Sequence, residues 1–238
     1  MINQWKIIIL TLFCVPYIGC SKVTAEKETK ECLINIDTID FTFGIEYMHP
    51  EQYLVQGEQS EIEFLHLDEI RSSLGDPVES IAYMLEVCQW INQHFTFINA
   101  GGAMIGQVTV NELFESREFY GCHSLALIIS SVLRGFGFPA ILIETADVQW
   151  AYDYHAGRVD YFIGHVMSEI FVENTWILLD NNGTWADDYD PLNPFIPRIN
   201  YPPDAWFVFA KGIDTWDYSQ KEASFTHENL MLFAENIY

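Results

Sequence analysis

The sequence predicts an α+β protein in which helices pack on an antiparallel β-sheet, and three observations carry that prediction. Apolar residues recur every three or four positions over 77–94 and again over 122–134, which is typical of helices with a buried face. Apolar runs rich in β-branched residues follow at 140–145, 164–172 and 175–180, which is typical of strands. Because a two-residue turn joins the last two runs, we expect a hairpin within an antiparallel sheet.

The composition limits the function classes open to this chain. Its 238 residues include 34 Asp and Glu against 11 Lys and Arg, a formal net charge of −23. Such a charge repels phosphate backbones, so we expect no nucleic-acid partner. Half of the residues are apolar and 15% are aromatic, which is too much for a disordered acidic tail and enough for a substantial core. The sequence therefore predicts a folded, acidic protein.

The first twenty residues differ from the rest of the chain. A start with one lysine precedes an apolar run over 7–15 that is too short to span a bilayer, and Gly19-Cys20 follows. This order resembles a bacterial lipoprotein signal, in which residues 1–19 form the signal peptide and Cys20 carries the lipid. An ordinary cleaved secretory signal and an uncleaved anchor are the alternatives. The resemblance implies an exported lipoprotein anchored in the bacterial cell envelope. Ser21 after the cysteine, rather than Asp, resembles the outer-membrane pattern of such lipoproteins, so the outer membrane is favoured.

The rest of the chain divides into three parts. Residues 20–75 combine a polar tether over 21–30 with an N-terminal extension that has no clear period and is predicted to be irregular or to contain strands. Residues 76–212 hold the strong helix and strand patterns and form the predicted main domain. Residues 213–238 form a C-terminal extension.

Two helix starts carry capping signals. Asp76-Pro77-Val78-Glu79 joins an N-cap acid, a proline at the first helical position and a Glu three residues after the cap, which predicts a helix over 77–94. Thr109, followed three residues later by Glu112, predicts a short helix over 110–116 by the same logic.

Three cysteines remain after position 20, and their surroundings differ. Cys88 lies on the apolar face of the first helix and is expected to be an inert core thiol, with a disulfide to Cys32 as the alternative. Cys122 follows the helix-breaking Gly121 and opens the helix over 122–134. Unpaired N–H groups and the dipole at a helix start favour thiolate over thiol, which makes a cysteine nucleophilic. A buried structural cysteine beside a glycine turn is the alternative for Cys122.

An imidazole and a carboxylate follow on the predicted hairpin. His165 lies near the start of the strand over 164–172, Glu173-Asn174 turns the chain, and Asp180 ends the returning strand. The hairpin can therefore bring the two side chains close together. A thiol at a helix start, a base, and an acid that orients the base are the three parts of a cysteine acyl-transfer site.

Four short stretches carry a resemblance to a known family. They are, in chain order, Tyr120-Gly-Cys-His-Ser-Leu-Ala126, Leu133-Arg-Gly-Phe-Gly-Phe-Pro-Ala140, Gly164-His-Val-Met-Ser-Glu169 and Trp176-Ile-Leu-Leu-Asp180. The ordered set resembles the transglutaminase-like superfamily of papain-type proteins. The resemblance implies a papain-like fold with Cys122 as the nucleophile, His165 as the base and Asp180 as the orienting acid. The family usually has an aromatic residue where this chain has Met167, and a proline where it has Asn181.

The oxyanion of such a reaction needs hydrogen-bond donors. The backbone N–H of Cys122 would be one, and a side chain upstream of it would be the other. Tyr120 is the candidate, and Trp90 and Gln93 are alternatives.

Two other histidines are weighed against His165. His123 adjoins the thiol in sequence, but neighbouring helical residues point about 100° apart, so it is a poor base and is expected to make a solvent-side or loop contact. His155 follows several aromatic residues in a predicted loop, where it is either a substrate-loop residue or an ordinary surface residue.

Neither a metal nor a cofactor is expected. The acidic stretch over 180–190 has carboxylates and amides around a glycine, but its spacing misses the calcium-loop pattern, so a solvated loop is favoured. No Cys and His spacing fits a structural zinc site.

The function predicted from these residues is cysteine-dependent acyl transfer or hydrolysis on a protein, peptide or other carboxamide substrate. Hydrolysis is favoured over crosslinking because water is always available and no lysine-donor site can be identified. A catalytically inactive module of the same fold, which binds a peptide or a cell-envelope component, is the alternative. A purely structural envelope lipoprotein is the third possibility.

Overall fold

The structure is a computed structural model that describes residues 42–100, 103–159, 163–181, 183, 185–186, 189–193, 195–197 and 205–218. These residues belong to a unit that runs from Cys32 to Tyr238. The predictions for the signal, Cys20, the tether and Cys32 lie outside the described residues, as does most of the predicted C-terminal extension. No helix in the described part of the chain is long and apolar enough to cross a membrane.

An antiparallel sheet forms one layer of the structure. The strands are β1 (Thr96–Phe97), β2 (Glu118–Phe119), β3 (Ala140–Asp147), β4 (Gly164–Val172), β5 (Thr175–Leu179), β6 (Trp185–Ala186), β7 (Phe195–Pro197) and β8 (Ala205–Gly212). The last six form the sheet, in the spatial order β6-β5-β4-β3-β8-β7, and every neighbouring pair is antiparallel. The first two form a separate parallel pair.

Helices cover one face of this sheet. They are α1 (Phe64–Leu74), α2 (Ile81–His94), α3 (Val110–Ser116), α4 (Cys122–Gly135) and α5 (Val148–His155). The central helix is α4, in which every residue from His123 to Arg134 is buried, and it packs on β3 and β4 and against α2 and α3. This arrangement of helices on an antiparallel sheet confirms the predicted α+β class.

The predicted start of the first capped helix is wrong by four residues. The helix α2 begins at Ile81 rather than Pro77, because the hydroxyl of Ser80 accepts the backbone N–H of Tyr83 at 3.2 Å and so caps the helix. Asp76 is exposed just after α1 ends. The Thr109 and Glu112 capping box of α3 is confirmed, with its side-chain and backbone hydrogen bonds both formed.

The predicted hairpin of β4 and β5 is also confirmed. Its pairing runs from Val172 opposite Thr175 to Ser168 opposite Leu179. The two turn residues between the strands, Glu173 and Asn174, have φ of 52° and 64°, as a tight turn of this kind requires. Asp180 therefore leaves the sheet at the end of β4 that carries His165.

The segment after β3 was predicted to be a loop, and that prediction is wrong. It forms the helix α5, whose N-terminus is capped by the Asp147 carboxylate, which accepts the backbone N–H of Trp150 at 2.6 Å. Trp150 and Ala151 bury themselves against Ala146 at the end of β3. This burial holds a helix that its polar and aromatic composition alone does not predict.

The second face of the sheet is covered by chain from the N-terminal extension. Residues 42–60 form turns and a short 3₁₀ helix, Pro50–Leu54, and contain no strand. The prediction of an irregular or strand-containing extension up to residue 75 is wrong for residues 64–74, which form the helix α1. Tyr53 from this segment packs with Ile141 and Trp176 on that face of the sheet. The extension thus contributes to the core on which the site is built.

Arg134 near the end of α4 ties the flanking segments of the chain together. Its buried guanidinium donates to the carbonyl of Val55 at 3.3 Å, to the hydroxyl of Ser60 at 3.1 Å and to the carbonyl of Ile213 at 2.8 Å. The Asp214 carboxylate accepts the N–H of Ser60 at 3.1 Å beside it. The chain before and after the predicted main domain therefore meets at the end of the helix that carries Cys122.

Candidate active site

Cys122 is the first residue of α4, and the backbone around it favours a charged thiol. Gly121 precedes it with φ of 139°, a conformation that glycine adopts readily, and no side chain caps the helix. The Ser124 hydroxyl accepts the N–H of Tyr120 at 2.7 Å and so holds the turn. The start of a helix directs its dipole and N–H groups toward the thiol, which favours the thiolate.

His165 and Asp180 meet at the end of the hairpin. The Nε2 atom of His165 lies 2.8 Å from Oδ1 of Asp180, and since a carboxylate can only accept, Nε2 is the nitrogen that donates. The hydroxyl of Thr145 donates to the His165 carbonyl at 2.8 Å and fixes the strand. Both side chains keep 22% of their surface exposed, so the pair is open to solvent.

The thiol of Cys122 and the imidazole of His165 interact, and this interaction shifts both pKa values. Burial acts to raise the pKa of Cys122, but the hydrogen bond and the charge of His165, with N–H groups of Val166 and His123, outweigh it and leave the pKa below its ordinary value. Burial acts to lower the pKa of His165, but its hydrogen bonds to Asp180 and Cys122 raise it to about 10. The interaction therefore favours the thiolate form of Cys122 and the imidazolium form of His165.

Asn181 is the residue beside the site that sequence reasoning missed, because it was noted only as a departure from the family pattern. Its side-chain Nδ2 lies 2.8 Å from the carbonyl oxygen of Cys122 and 2.8 Å from that of Val166. Its backbone N–H donates to Oδ1 of Asp180 at 2.7 Å. No sequence pattern reveals these contacts, since they join residues from a helix, a strand and a turn.

The candidate donors for an oxyanion are placed differently from one another. The phenol of Tyr120 donates its one proton to the Glu118 carboxylate at 3.0 Å, so it has no proton left for an oxyanion while that contact lasts. Trp90 is buried, and its indole N–H has no acceptor among the described residues, while Gln93 is exposed. The backbone N–H of Cys122 remains the donor that lies next to the reacting sulfur.

The two competing histidines have different outcomes. His123 was expected to face solvent or a loop, and that is wrong: its side chain is buried, and burial lowers its pKa to about 4, so it is neutral. His155 is the last residue of α5 rather than a loop residue.

Cys88 is buried on α2 as a free thiol, and burial raises its pKa to about 12. This agrees with the expectation of an inert core thiol. Among the described residues, no group of three or more His, Cys, Asp or Glu side chains is arranged to hold a metal ion.

Known proteins resemble this chain in structure and not in sequence. No protein-family model matches the chain, and no curated protein matches it. Among solved structures, a "putative cysteine protease" from Cytophaga hutchinsonii matches with 15% identity and a TM-score of 0.49, over 71% of this chain and 48% of that one. A "putative protease" from Parabacteroides distasonis matches with 10% identity and a TM-score of 0.36, over 59% of this chain and 30% of that one. The chain thus spans half or less of the length of either structure, and its function has to be inferred from the geometry of its own site.

Proposed function

We propose that this protein catalyses cysteine-dependent hydrolysis or acyl transfer on a peptide or other carboxamide substrate. Cys122 is the nucleophile, His165 is the general base and acid, and Asp180 orients the imidazole. The observation that supports this most directly is the 2.8 Å contact between Nε2 of His165 and Oδ1 of Asp180, next to the Cys122 thiol whose pKa the imidazole lowers.

The reaction begins with attack of the Cys122 thiolate on the carbonyl carbon of the substrate. A carbon–sulfur bond forms and the carbonyl electron pair moves to oxygen, where the backbone N–H of Cys122 stabilises the negative charge. When the carbonyl re-forms, the carbon–nitrogen bond breaks and His165 gives its proton to the leaving amine. The product of this half-reaction is a thioester on Cys122 and a neutral imidazole.

The second half-reaction releases the acyl group. His165 takes a proton from water as the water oxygen attacks the thioester, and collapse of the intermediate breaks the carbon–sulfur bond. A carboxylic acid leaves, and the thiolate and imidazolium pair is restored. An amine in place of water gives an amide by the same steps, so hydrolysis and acyl transfer differ only in the acceptor.

The test uses p-nitrophenyl esters of N-acyl amino acids, which need no identified natural substrate. We expect the wild-type protein to release about one equivalent of p-nitrophenol in a burst and then to turn over steadily, because His165 can activate water against the thioester. Cys122→Ser removes both phases. Adding a primary amine and measuring the acyl amide by mass spectrometry separates acyl transfer from hydrolysis.

Two results of this test would decide against catalysis. A burst without turnover would show a reactive thiol without a working base and would favour the alternative, an inactive module that binds a peptide or an envelope component. Equal ester cleavage by wild type and Cys122→Ser would exclude Cys122 as the nucleophile.

We also propose that the chain is exported and lipidated at Cys20, from the pattern of residues 1–21. Several acyl chains on one cysteine hold a protein firmly to a membrane, whereas a single chain does so only marginally. The full-length protein should therefore fractionate with bacterial membranes and begin at a lipid-modified residue 20. Cys20→Ser should release it or stall its processing, and a soluble, lipid-free wild-type protein would refute the anchor without affecting the catalytic proposal.

A further inference from the structure

We propose that Asn181 is the positioning residue of this site, which holds the helix that carries the thiol and the strand that carries the imidazole in register. The proposal deepens the proposed function and rests on it. Asn181 is 5% exposed. It donates hydrogen bonds to the backbone carbonyls of Cys122 and Val166 and to the side chain of Asp180.

The first step is the orientation of the carboxamide. Its two acceptors, the carbonyls of Cys122 and Val166, both lie 2.8 Å from the same nitrogen. A carbonyl cannot donate, so this end of the side chain must be the NH₂ group, which supplies one proton to each acceptor. Both protons of the amide are therefore used.

The second step is what those two acceptors belong to. One carbonyl is that of Cys122, and the other belongs to Val166, which follows His165 directly on β4. The thiol and imidazole must meet across the gap between α4 and β4. One side chain therefore bridges this gap at the level where the proton is exchanged.

The third step concerns the acid. The backbone N–H of Asn181 donates to Oδ1 of Asp180 at 2.7 Å, and the same oxygen accepts from His165 at 2.8 Å. Two donors from different directions fix the carboxylate, which in turn fixes the plane of the imidazole. Asn181 thus touches Asp180 and Cys122 directly and His165 through its neighbour.

The turn itself is anchored to a third element. The side chain of Asn92 on α2 donates to the Asn181 carbonyl at 3.3 Å and to the Cys88 carbonyl at 2.8 Å. The N–H of Gly183 donates to the Asp180 carbonyl at 2.9 Å and closes the turn. The backbone of the turn that contains Asn181 is therefore fixed by Asn92 and Gly183, while the Asn181 side chain contacts α4 and β4.

The experiment measures the rate of Cys122 alkylation by iodoacetamide against pH, with the labelled cysteine located by peptide mapping. The variants are Asn181→Ala, which removes both carboxamide donors, and Asn181→Ser, whose hydroxyl can supply one. The matched control is Gln59→Ala, because the buried Gln59 carboxamide also donates to a backbone carbonyl, that of Val108 at 3.0 Å, but makes its side-chain contacts with Val108 and Thr215. Thermal melting is recorded for each protein.

We expect the midpoint of the alkylation profile to rise by about one pH unit in Asn181→Ala, which is about a tenfold loss of rate on its acid side. Asn181→Ser should fall between Asn181→Ala and wild type. Gln59→Ala should melt earlier than wild type and keep the wild-type midpoint. This pattern separates positioning of the thiol from general loss of stability.

An unchanged midpoint in folded Asn181→Ala overturns the proposal, and so does an equal shift in Gln59→Ala. If Asn181→Ala does not fold, Asn181→Ser carries the same two outcomes. The proposed function fails in a different way, which is the absence of rapid Cys122 labelling in the wild-type protein.

Discussion

The strand β4 contributes to two clusters of ionisable side chains. The two clusters differ in how far they are exposed to solvent, and this difference distinguishes a site suited to proton transfer from one that stabilises the fold. The first is the candidate catalytic cluster of Cys122, His165 and Asp180. The second is the buried pair of Glu169 and Lys211, whose nitrogen and oxygen lie 2.7 Å apart. The side chains of Asp180 and His165 keep 22% of their surface exposed, whereas those of Glu169 and Lys211 keep 0% and 1%.

Both charged groups of the buried pair have hydrogen-bond partners within the protein. The ammonium of Lys211 donates to Glu169, to the Tyr47 hydroxyl at 2.6 Å and to the Pro191 carbonyl at 2.8 Å. Glu169 also accepts from the hydroxyls of Tyr47 at 2.7 Å and Tyr189 at 2.6 Å. These contacts fasten Tyr47 of the N-terminal extension and the chain at Tyr189 and Pro191 to the sheet, and they occupy all three protons of the Lys211 ammonium.

The candidate catalytic cluster has the opposite arrangement. Its His165 and Asp180 side chains keep part of their surface open to solvent, and in the proposed function the imidazole gives a proton to a leaving group and takes one from water. A charge cluster that is fully satisfied stabilises the fold, and one that is partly open can transfer protons. We therefore expect substitutions in the first cluster to change the reactivity of Cys122 and substitutions in the buried pair to change the free energy of unfolding.

The largest expected effect is on reactivity in the candidate catalytic cluster. In His165→Ala the thiol of Cys122 loses its imidazolium, and a thiol with an ordinary pKa near 8.5 is only about 0.3% ionised at pH 6. The iodoacetamide rate at pH 6 should therefore fall by about two orders of magnitude. His165→Ala/Asp180→Ala should lose nearly the same amount, because Asp180 acts through His165. If the double variant instead lost much more activity than His165→Ala, Asp180 would act independently of His165 and the two would not form one catalytic unit.

The next effect is on stability at the buried pair. Lys211→Met leaves the Glu169 carboxylate buried without its cation, which should cost about 3–5 kcal/mol in the free energy of unfolding measured with urea. Glu169→Leu/Lys211→Met should recover most of that loss, since an apolar pair needs no partner. The pH midpoint of Cys122 alkylation should not move in the double variant. A shift of this midpoint would show that the two clusters are coupled and that the buried pair is not purely structural.

The third effect is on the pH range of activity. Ester turnover should rise with pH as Cys122 ionises, below the ordinary thiol value, and fall as His165 loses its proton at about 10. Asp180→Asn removes the hydrogen bond and charge that raise the pKa of His165, so the alkaline limb should move to lower pH by about one to three units. Asp68→Asn, which removes an exposed carboxylate on α1, should leave the limb in place. A limb that stays in place in Asp180→Asn would mean that His165 does not set it.

The smallest effect tests whether Glu169 is charged. Tyr189→Phe deletes a donor to a carboxylate and should cost about 1.5–3 kcal/mol of stability, whereas Tyr83→Phe deletes a donor to the neutral Gly75 carbonyl at 3.2 Å and should cost about 1 kcal/mol. Both values come from urea unfolding. Equal costs would argue against an ionised Glu169 in the folded protein.

Local signals in the sequence predicted most of what positions the candidate site. Gly121 and the apolar period after it predicted α4, and the Glu173-Asn174 turn predicted the hairpin. These features depend on residues close together in the chain. Because they place a thiol at a helix start and a histidine and aspartate at one end of a hairpin, the meeting of the three side chains could be anticipated, while their catalytic roles remain a prediction.

Long-range contacts were beyond the sequence. Glu169 and Lys211 lie on different strands, and nothing local indicates that they pair under Tyr47. The role of Asn181 depends on carbonyls of Cys122 and Val166 that only tertiary packing brings to it. The start of α2 shows a local conflict, since Asp76 and Ser80 are both good caps and only the packed helix selects Ser80.

The buried thiol of Cys88 can report how often the core opens. Its thiol is sealed within the core and held protonated, so a reagent reaches it only when α2 separates from its neighbours. The slow modification of Cys88 therefore measures the population of opened molecules, in the same sample in which the fast modification of Cys122 measures the native site. A substitution that loosens the core should raise the rate of Cys88 modification. A substitution that changes only the chemistry of the site should leave that rate unchanged.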